Sequence, residues 1–164
     1  MLYFSHRMHH FLLRVIGSSQ SDWQRDAITE YLTKLKPFTK VDVVELPEGH
    51  RGSAKPDLVR TRKDETERLF HNLSKDVFIV ALEEQGKNLD SVTFANTIAN
   101  WSDQGRTVAF FIAGSWGFDP ALVKHAHATI SLGKQTLPHL LARIVLLEQL
   151  YRTETILAGK TYHK

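Results

Sequence analysis

Short apolar runs alternate with amphipathic stretches along the whole chain. Phe11-Leu12-Leu13-Arg14-Val15-Ile16 has the length and apolar content of a strand and is closed by Gly17. Trp23, Ala27, Ile28, Tyr31, Leu32 and Leu35 then recur at helical spacing, which predicts a helix over 22–36 with Ser21 as its cap and Pro37 as its stop. The same alternation predicts strands over 41–46, 77–82, 108–113 and 129–132, and helices over 58–73, 91–101, 120–128 and 138–157. Residues 47–56, rich in glycine and basic side chains, read as a loop.

Two of the strands, 77–82 and 108–113, are apolar without interruption. Such strands need cover on both faces, and strand–helix alternation supplies it, so the expected class is α/β with a mostly parallel sheet and helices on both faces. Ligands of these sheets gather beyond the carboxyl ends of the strands. Here those ends are Leu82 to Gly86, Gly114 to Gly117, and Leu132 to Leu137. The last helix carries Leu140, Leu141, Ile144, Val145, Leu146, Leu147, Leu150, Tyr151, Ile156 and Leu157 around most of its circumference. One small sheet covers a single stripe of such a helix, so the pattern predicts a homodimer through it; a central helix wrapped by its own chain is the alternative.

Composition narrows the picture. The chain has 164 residues, 42% of them hydrophobic and 24% charged, which fits one globular domain. With no cysteine there is no disulfide framework, thiolate metal site or cysteine nucleophile, and the histidines show no metal-binding spacing; His125 and His127 stand two apart in a predicted helix. No apolar run is long enough for a membrane span and the start lacks a signal-peptide pattern, so a cytoplasmic protein is expected. Residues 1–10 read as an N-terminal extension, with Met8 as an alternative start, before a single domain over 11–164. The net charge is +3, and the stretch 133–164 holds all of the excess, with Lys134, Arg143, Arg152, Lys160 and Lys164 against Glu148 and Glu154.

Several groupings can carry chemistry. Gly114-Ser115-Trp116-Gly117 permits close backbone approach to a ligand, but it is neither a dinucleotide fingerprint nor a phosphate-binding P-loop, and a plain tight turn explains it equally. His139 and Arg143 share one face at the start of the last helix, which suits an anionic ligand or else a satisfied internal pair. Glu148 and Arg152 are spaced to pair with each other. The terminal Gly159 to Lys164 reads as a frayed tail or as a hold on RNA by charge and stacking. Gly49 to Lys55, with Arg60, Arg62 and Lys63, is a solvated basic face or an RNA-backbone contact.

Taken in order, Phe111 to Gly117, Ile130 to Leu132, Thr136 to His139, Glu148 to Arg152 and the terminal Tyr162-His163-Lys164 closely resemble one family. It is the ribosomal large-subunit methyltransferase H family, the 23S rRNA pseudouridine N3-methyltransferases of the SPOUT class. Asp22-Trp23, Glu30-Tyr31-Leu32, Glu45-Leu46-Pro47, Gly49 with Arg51-Gly52, and Leu82-Glu83 to Gly86-Lys87 agree with it too, so the likeness spans 11–164.

The resemblance implies a trefoil-knotted fold, a homodimer, S-adenosylmethionine as methyl donor and a pseudouridine of assembled ribosomes as substrate. It implies cofactor contacts from Leu82, Gly114, Leu132, Gly133, Lys134, Gln135, Thr136 and Leu137. It implies RNA-side or catalytic roles for His139, Arg143, Arg152, Tyr162 and His163, without deciding which takes the N3 proton. Methylation of another RNA such as tRNA, or a non-catalytic RNA- or ribosome-binding protein on the same fold, are the alternatives. The sequence departs from the family pattern at Ala113, usually Gly, and at Gly133 and Gln135, where Ser and an apolar residue are commoner.

Overall fold

The computed structural model describes residues 8–49, 55 and 57–162. Its elements run β1 His9–Ile16, α1 Asp22–Leu35, β2 Thr39–Leu46, α2 Leu58–Phe70, β3 Phe78–Asn88, α3 Ser91–Trp101, β4 Val108–Ile112, β5 Ala128–Ser131 and α4 His139–Leu157. The five strands form one sheet in the order β2-β1-β4-β3-β5, and every neighbouring pair is parallel.

The sheet buries both faces, as the uninterrupted apolar strands require. Alternate residues of β4 point to opposite sides. Val108, Phe110 and Ile112 join Phe11, Leu13 and Val15 of β1 in a core with Ile28 and Leu35 of α1, Phe94 and Ile98 of α3, and Leu146, Leu147 and Leu150 of α4. Ala109, Phe111 and Ala113 face the other way, where Leu69 of α2, Phe118 and Val123 cover them. Three helices therefore lie on one face and α2 on the other.

Local chemistry fixes the element ends. Asp57 Oδ1 accepts from the Val59 and Arg60 amides, both at 3.1 Å, and caps α2. At the far end of α2, Arg14 projects from β1 and donates to the carbonyls of Arg68 at 2.9 Å and His71 at 2.8 Å, placing a cation on the negative end of that helix. Asp90 caps α3 through the Thr93 amide at 2.8 Å. Ser21 stands at the N-cap of α1, but the bond there runs from its own amide to Gln24 Oε1 at 3.4 Å.

Several boundaries differ from expectation, three of them through contacts that can be named. The strand predicted over 77–82 continues to Asn88, because Lys87 and Asn88 pair with Ile130 and Ser131 after Glu83–Gly86 bulge out of register. The polar composition of that second half concealed it. No α-helix forms over 120–128: Asp119 Oδ1 binds the Ala121 and Leu122 amides at 2.9 and 3.0 Å, a single 3-10 turn follows at Val123–His125, and the chain then straightens. His127 is held at the edge of β3, its Nδ1 accepting from the Ile79 amide at 2.9 Å and its own amide donating to Ile79 O at 2.8 Å. β1 begins at His9, where the ring bonds Glu154 of α4 at 2.7 Å. Among the described residues no group of His, Asp and Glu is placed to hold a metal ion, and no helix is long and apolar enough to cross a membrane.

Candidate active site

The carboxyl ends of β3, β4 and β5 converge with the start of α4. The β3 bulge contributes Leu82 to Gln85, the turn after β4 contributes Ala113 to Phe118, and the segment before α4 contributes Thr136 to His139. Together they line a cleft of about 720 Å³, within the range of roughly 300–1,000 Å³ usual for small-molecule sites. A niche of about 80 Å³ adjoins it, between Leu82–Glu84 on one side and Leu132, Gly133, Gln135 and Leu137 on the other.

Glycines shape these loops. A Cβ on Gly86 would sit 2.5–2.8 Å from the backbone of Ile130, so only glycine lets the bulge pack against β5. A Cβ on Gly114 would meet Glu65 Oε2 at 2.8 Å and Ile16 Cγ2 at 3.0 Å. Ser131 braces the last loop: its Oγ donates to Gly133 O at 2.6 Å and accepts from Gly133 N at 3.2 Å. Of the eight residues expected around a cofactor, Leu82, Gly114, Leu132, Gly133, Gln135, Thr136 and Leu137 line the cleft or its niche. Lys134 lies exposed outside both.

His139 lines the cleft and is half-buried. Burial, with Arg143 adding to it, holds its pKa below the ordinary 6.5, against the opposing pull of Glu48 and Glu65. The imidazole is therefore neutral at pH 7. Arg143 is 1% exposed. Its guanidinium bonds Glu45 Oε1 at 2.5 Å and donates to the Gly17 carbonyl at 3.1 Å. The anion that this arginine meets is internal.

The other expected residues stand at the far end of α4. Arg152 donates to Glu148 Oε1 through Nε at 3.1 Å and Nη2 at 2.5 Å, the pairing that the spacing predicts. Its guanidinium lies 4.8 Å from the Tyr162 ring centre, and Tyr162 donates its hydroxyl to the same Glu148 oxygen at 3.3 Å. Burial, and then Glu148, push the Tyr162 pKa up, so the phenol keeps its proton. His163 lies outside the described residues. Thirteen residues separate His139 from Arg152, which is about 20 Å along a helix axis. One chain thus carries two clusters at opposite ends of α4.

The pairings also qualify the charge pattern of residues 133–164. Arg143 is neutralised by Glu45 and Arg152 by Glu148, while Lys160 sits 4.4 Å from the centre of the Phe38 ring. Lys134, exposed between the niche residues Gly133 and Gln135, is the cation of this stretch that stands beside the cleft.

Residues 9–163 match the family model described as "Predicted SPOUT methyltransferase". The chain belongs to the SPOUT methyltransferase family. Among curated relatives, it is 41% identical to a "Ribosomal RNA large subunit methyltransferase H" of Anaeromyxobacter sp. (strain Fw109-5), over 93% of this chain and 99% of that one. It is 37% identical to the protein of that name from Desulfotalea psychrophila (strain LSv54 / DSM 12343), over 96% and 100%. A solved structure, a probable methyltransferase from Bordetella pertussis Tohama I, superposes with a TM-score of 0.56 over 88% of this chain and 94% of that one, at 15% identity, and so supports the fold.

In this SPOUT methyltransferase three contributors escape the sequence reading. Glu45 is the partner of Arg143, Glu48 acts on His139, and Glu65 lies under Gly114. A signal for Glu65 does exist. The buried face of α2 is Thr61, Glu65, Thr66 and Leu69, one stripe at helical spacing on which a glutamate takes an apolar place.

Proposed function

We propose that this methyltransferase uses S-adenosylmethionine to methylate N3 of a pseudouridine in 23S rRNA, acting in the cytoplasm on assembled ribosomes as a homodimer. The observation that carries the reading is the cleft in which Leu82, Gly114, Thr136, Leu137 and His139 meet. The relatives named for the large-subunit RNA support the substrate class. The residues suit the cofactor. A Cβ on Gly114 would clash with the buried Glu65 and Ile16, so glycine lets this loop pack closely behind the cleft, whose described lining is mostly uncharged, with Glu83 and Glu84 against Arg62, a fit for a cationic ligand.

When bound, the cofactor supplies a methyl group from its sulfonium. The chain must then aim the acceptor and manage one proton, since the N3 of a pseudouridine carries a hydrogen. His139 is a neutral imidazole at the cleft and serves as acceptor for that proton. Arg143 acts through structure, fixing the first turns of α4 to the ends of β1 and β2. Arg152, Tyr162 and His163 hold the RNA, and the distance of Arg152 from His139 within one chain is the reason for a dimer. In that dimer the tail of one protomer serves the cleft of its partner. Leu141, more than a third exposed on α4, belongs to the surface between them.

Calorimetric titration with S-adenosylmethionine, followed by labelled-methyl transfer to unmodified ribosomes, naked rRNA and tRNA, tests the reading. Saturable binding and methylation of ribosomes at one pseudouridine is the expected result. RNA binding without cofactor binding would indicate a non-catalytic protein, and transfer to tRNA a different substrate.

A further inference from the structure

Arg62 stands on α2 beside the buried stripe of Thr61, Glu65, Thr66 and Leu69, and it lines the cleft. It is the one lysine or arginine among the lining residues. Its Nε is buried and has no hydrogen-bond partner. A guanidinium N–H shut away from water and left unbonded is costly. Arg14 and Arg143 also leave Nε unbonded, but each donates through its terminal nitrogens. Arg62 donates to no described residue. Its neighbours on α2 differ: Arg60 lies 3.7 Å from Asp64, Lys63 lies 3.9 Å from Glu67, and Arg68 donates to Pro47 O at 2.7 Å.

Among the described residues no carboxylate is joined to Arg62. Glu83 and Glu84 line the same cleft without an ion pair to it, and Glu65, three residues on in α2, accepts from the Gly49 amide instead. Residues 50–54 and 56, which precede α2 and lie outside the described residues, are His, Arg, Gly, Ser, Ala and Pro, with no carboxylate among them. A second group in the cleft points to the kind of ligand. Trp116 lines it and is 40% exposed, in a turn closed by Gly117 N donating to Gly114 O at 3.1 Å. An aromatic face and a guanidinium are the two groups with which proteins hold unpaired nucleotides, the ring on a base and the cation on a phosphate.

On the reading of the chain as an rRNA methyltransferase, the target nucleotide enters this cleft with its phosphates. We propose that Arg62 is a substrate-binding residue whose guanidinium engages a backbone phosphate of the RNA beside the target nucleotide. The carboxylates of the cleft suit the cationic donor and Arg62 suits the polyanion, so the two ligands meet opposite charges in one cleft. The contact comes from the protomer that supplies His139, and it adds to the hold of the partner's tail. Phosphate contacts position a nucleic acid without reading its sequence, so Arg62 sets how tightly the RNA is held and not which nucleotide is methylated.

The test is co-sedimentation of the full chain with unmodified ribosomes over a range of potassium chloride concentrations, beside calorimetry with S-adenosylmethionine. Arg62→Met keeps an unbranched apolar stem, removes the charge and takes away the buried unbonded Nε. Its ribosome affinity at low salt should fall roughly tenfold, the loss of one charge-assisted bond. The slope of log affinity against log salt should become shallower by about 1. Affinity for S-adenosylmethionine, which has no phosphate, should change less than about twofold. Arg62→Lys retains the charge and should retain the slope. Unchanged ribosome affinity and slope overturn the proposal. A loss confined to S-adenosylmethionine would assign Arg62 to the carboxylate of the donor, and equal loss for both ligands would show that it merely shapes the cleft; each overturns the proposal as well. Should Arg62→Met fail to fold, Arg62→Gln is compared with Arg62→Lys, and a slope shared by those two overturns it. Wild-type protein whose ribosome binding depends on Arg62, yet which neither binds S-adenosylmethionine nor transfers methyl, would uphold the contact and refute the catalytic reading. Wild-type protein that does not bind ribosomes would refute both.

Discussion

Arg143 of α4 and Glu45 at the end of β2 meet at 2.5 Å, joining residues 98 positions apart. Because the same guanidinium also donates to Gly17 O, the carboxyl ends of two strands are locked to the helix that carries His139. The two partners are unequal: Arg143 is 1% exposed and Glu45 39%. Removing the carboxylate strands a buried cation, whereas removing the cation leaves a carboxylate that water can reach. Glu45→Ala should therefore lower stability by about 2–4 kcal/mol, and Arg143→Met by less, as read from urea unfolding midpoints. The reverse order would mean that Arg143 contributes mainly by filling space.

Two glycines separate steric from conformational demands. Gly86 needs space, since a Cβ would press on the Ile130 backbone, and that strand leads straight into Leu132–Leu137. Gly86→Ala should lower stability by about 1–3 kcal/mol and also weaken cofactor binding, because β5 must move. Gly117 has open space but a φ of +77°. Gly117→Ala should cost about 1–2 kcal/mol through the left-handed backbone alone. Thermal melts with and without S-adenosylmethionine check both, and a melt of Gly86→Ala still raised by the ligand as in wild type would refute the link to the loop.

Much of this architecture was legible because burial leaves a period in the sequence. The apolar runs at Phe11 and Val108 mark strands covered on both faces, and Ser91–Trp101 forms a helix with the expected ends. The three cleft loops follow from strand ends alone. What escaped depends on contacts between distant segments. Glu83–Gly86 looks like the end of a strand because its pairing resumes only at Lys87, opposite β5. His9 and His10 look like an extension, yet His9 meets Glu154 and His10 meets Asp42, each at 2.7 Å. Arg143 looks like a ligand-seeking cation until Glu45 is placed beside it. Pairwise electrostatics across the fold has no local period to read.

The His9 contact carries its own consequence. Glu154 is 0% exposed and its Oε1 lies 2.7 Å from His9 Nδ1. His9→Ala removes that bond and leaves the carboxylate buried, a change expected to cost about 2–4 kcal/mol, measured by urea unfolding. A loss below ~0.5 kcal/mol, the range of ordinary surface changes, would show that the first strand residues are dispensable for the fold.

His139 sets a pH dependence of definite sign. Its folded pKa lies below the 6.5 of the unfolded chain, with burial the leading cause. Between those values the unfolded chain takes up a proton that the folded protein does not. The stability associated with a neutral His139 is therefore present above pH 6.5 and is lost as pH falls through the folded value. If this imidazole accepts the N3 proton, the acid limb of kcat/KM has its midpoint below 6.5. Glu48 stabilises the imidazolium, so Glu48→Gln should move that midpoint further toward acid. A pH–rate profile of the two proteins decides it, and a midpoint that moves toward alkali would contradict the assignment.

The separation of His139 from the Arg152–Tyr162 cluster makes a prediction about mixtures. In one chain the two groups stand about 20 Å apart along α4, further than any side chain spans. A variant lacking Tyr162–Lys164 should bind S-adenosylmethionine and remain dimeric, yet transfer no methyl group. His139→Ala should be equally inactive while keeping its tail. If the tail of one protomer serves the cleft of the other, a mixed dimer pairs one intact tail with one intact cleft. Co-expression at equal levels, with half of the dimers mixed and one of two sites whole in each, should then restore about a quarter of wild-type activity. If each chain works alone, every site in the mixture lacks one group and the activity stays at zero. A labelled-methyl assay on ribosomes, with differently tagged copies purified in tandem, distinguishes the outcomes, since only the mixed species should be active.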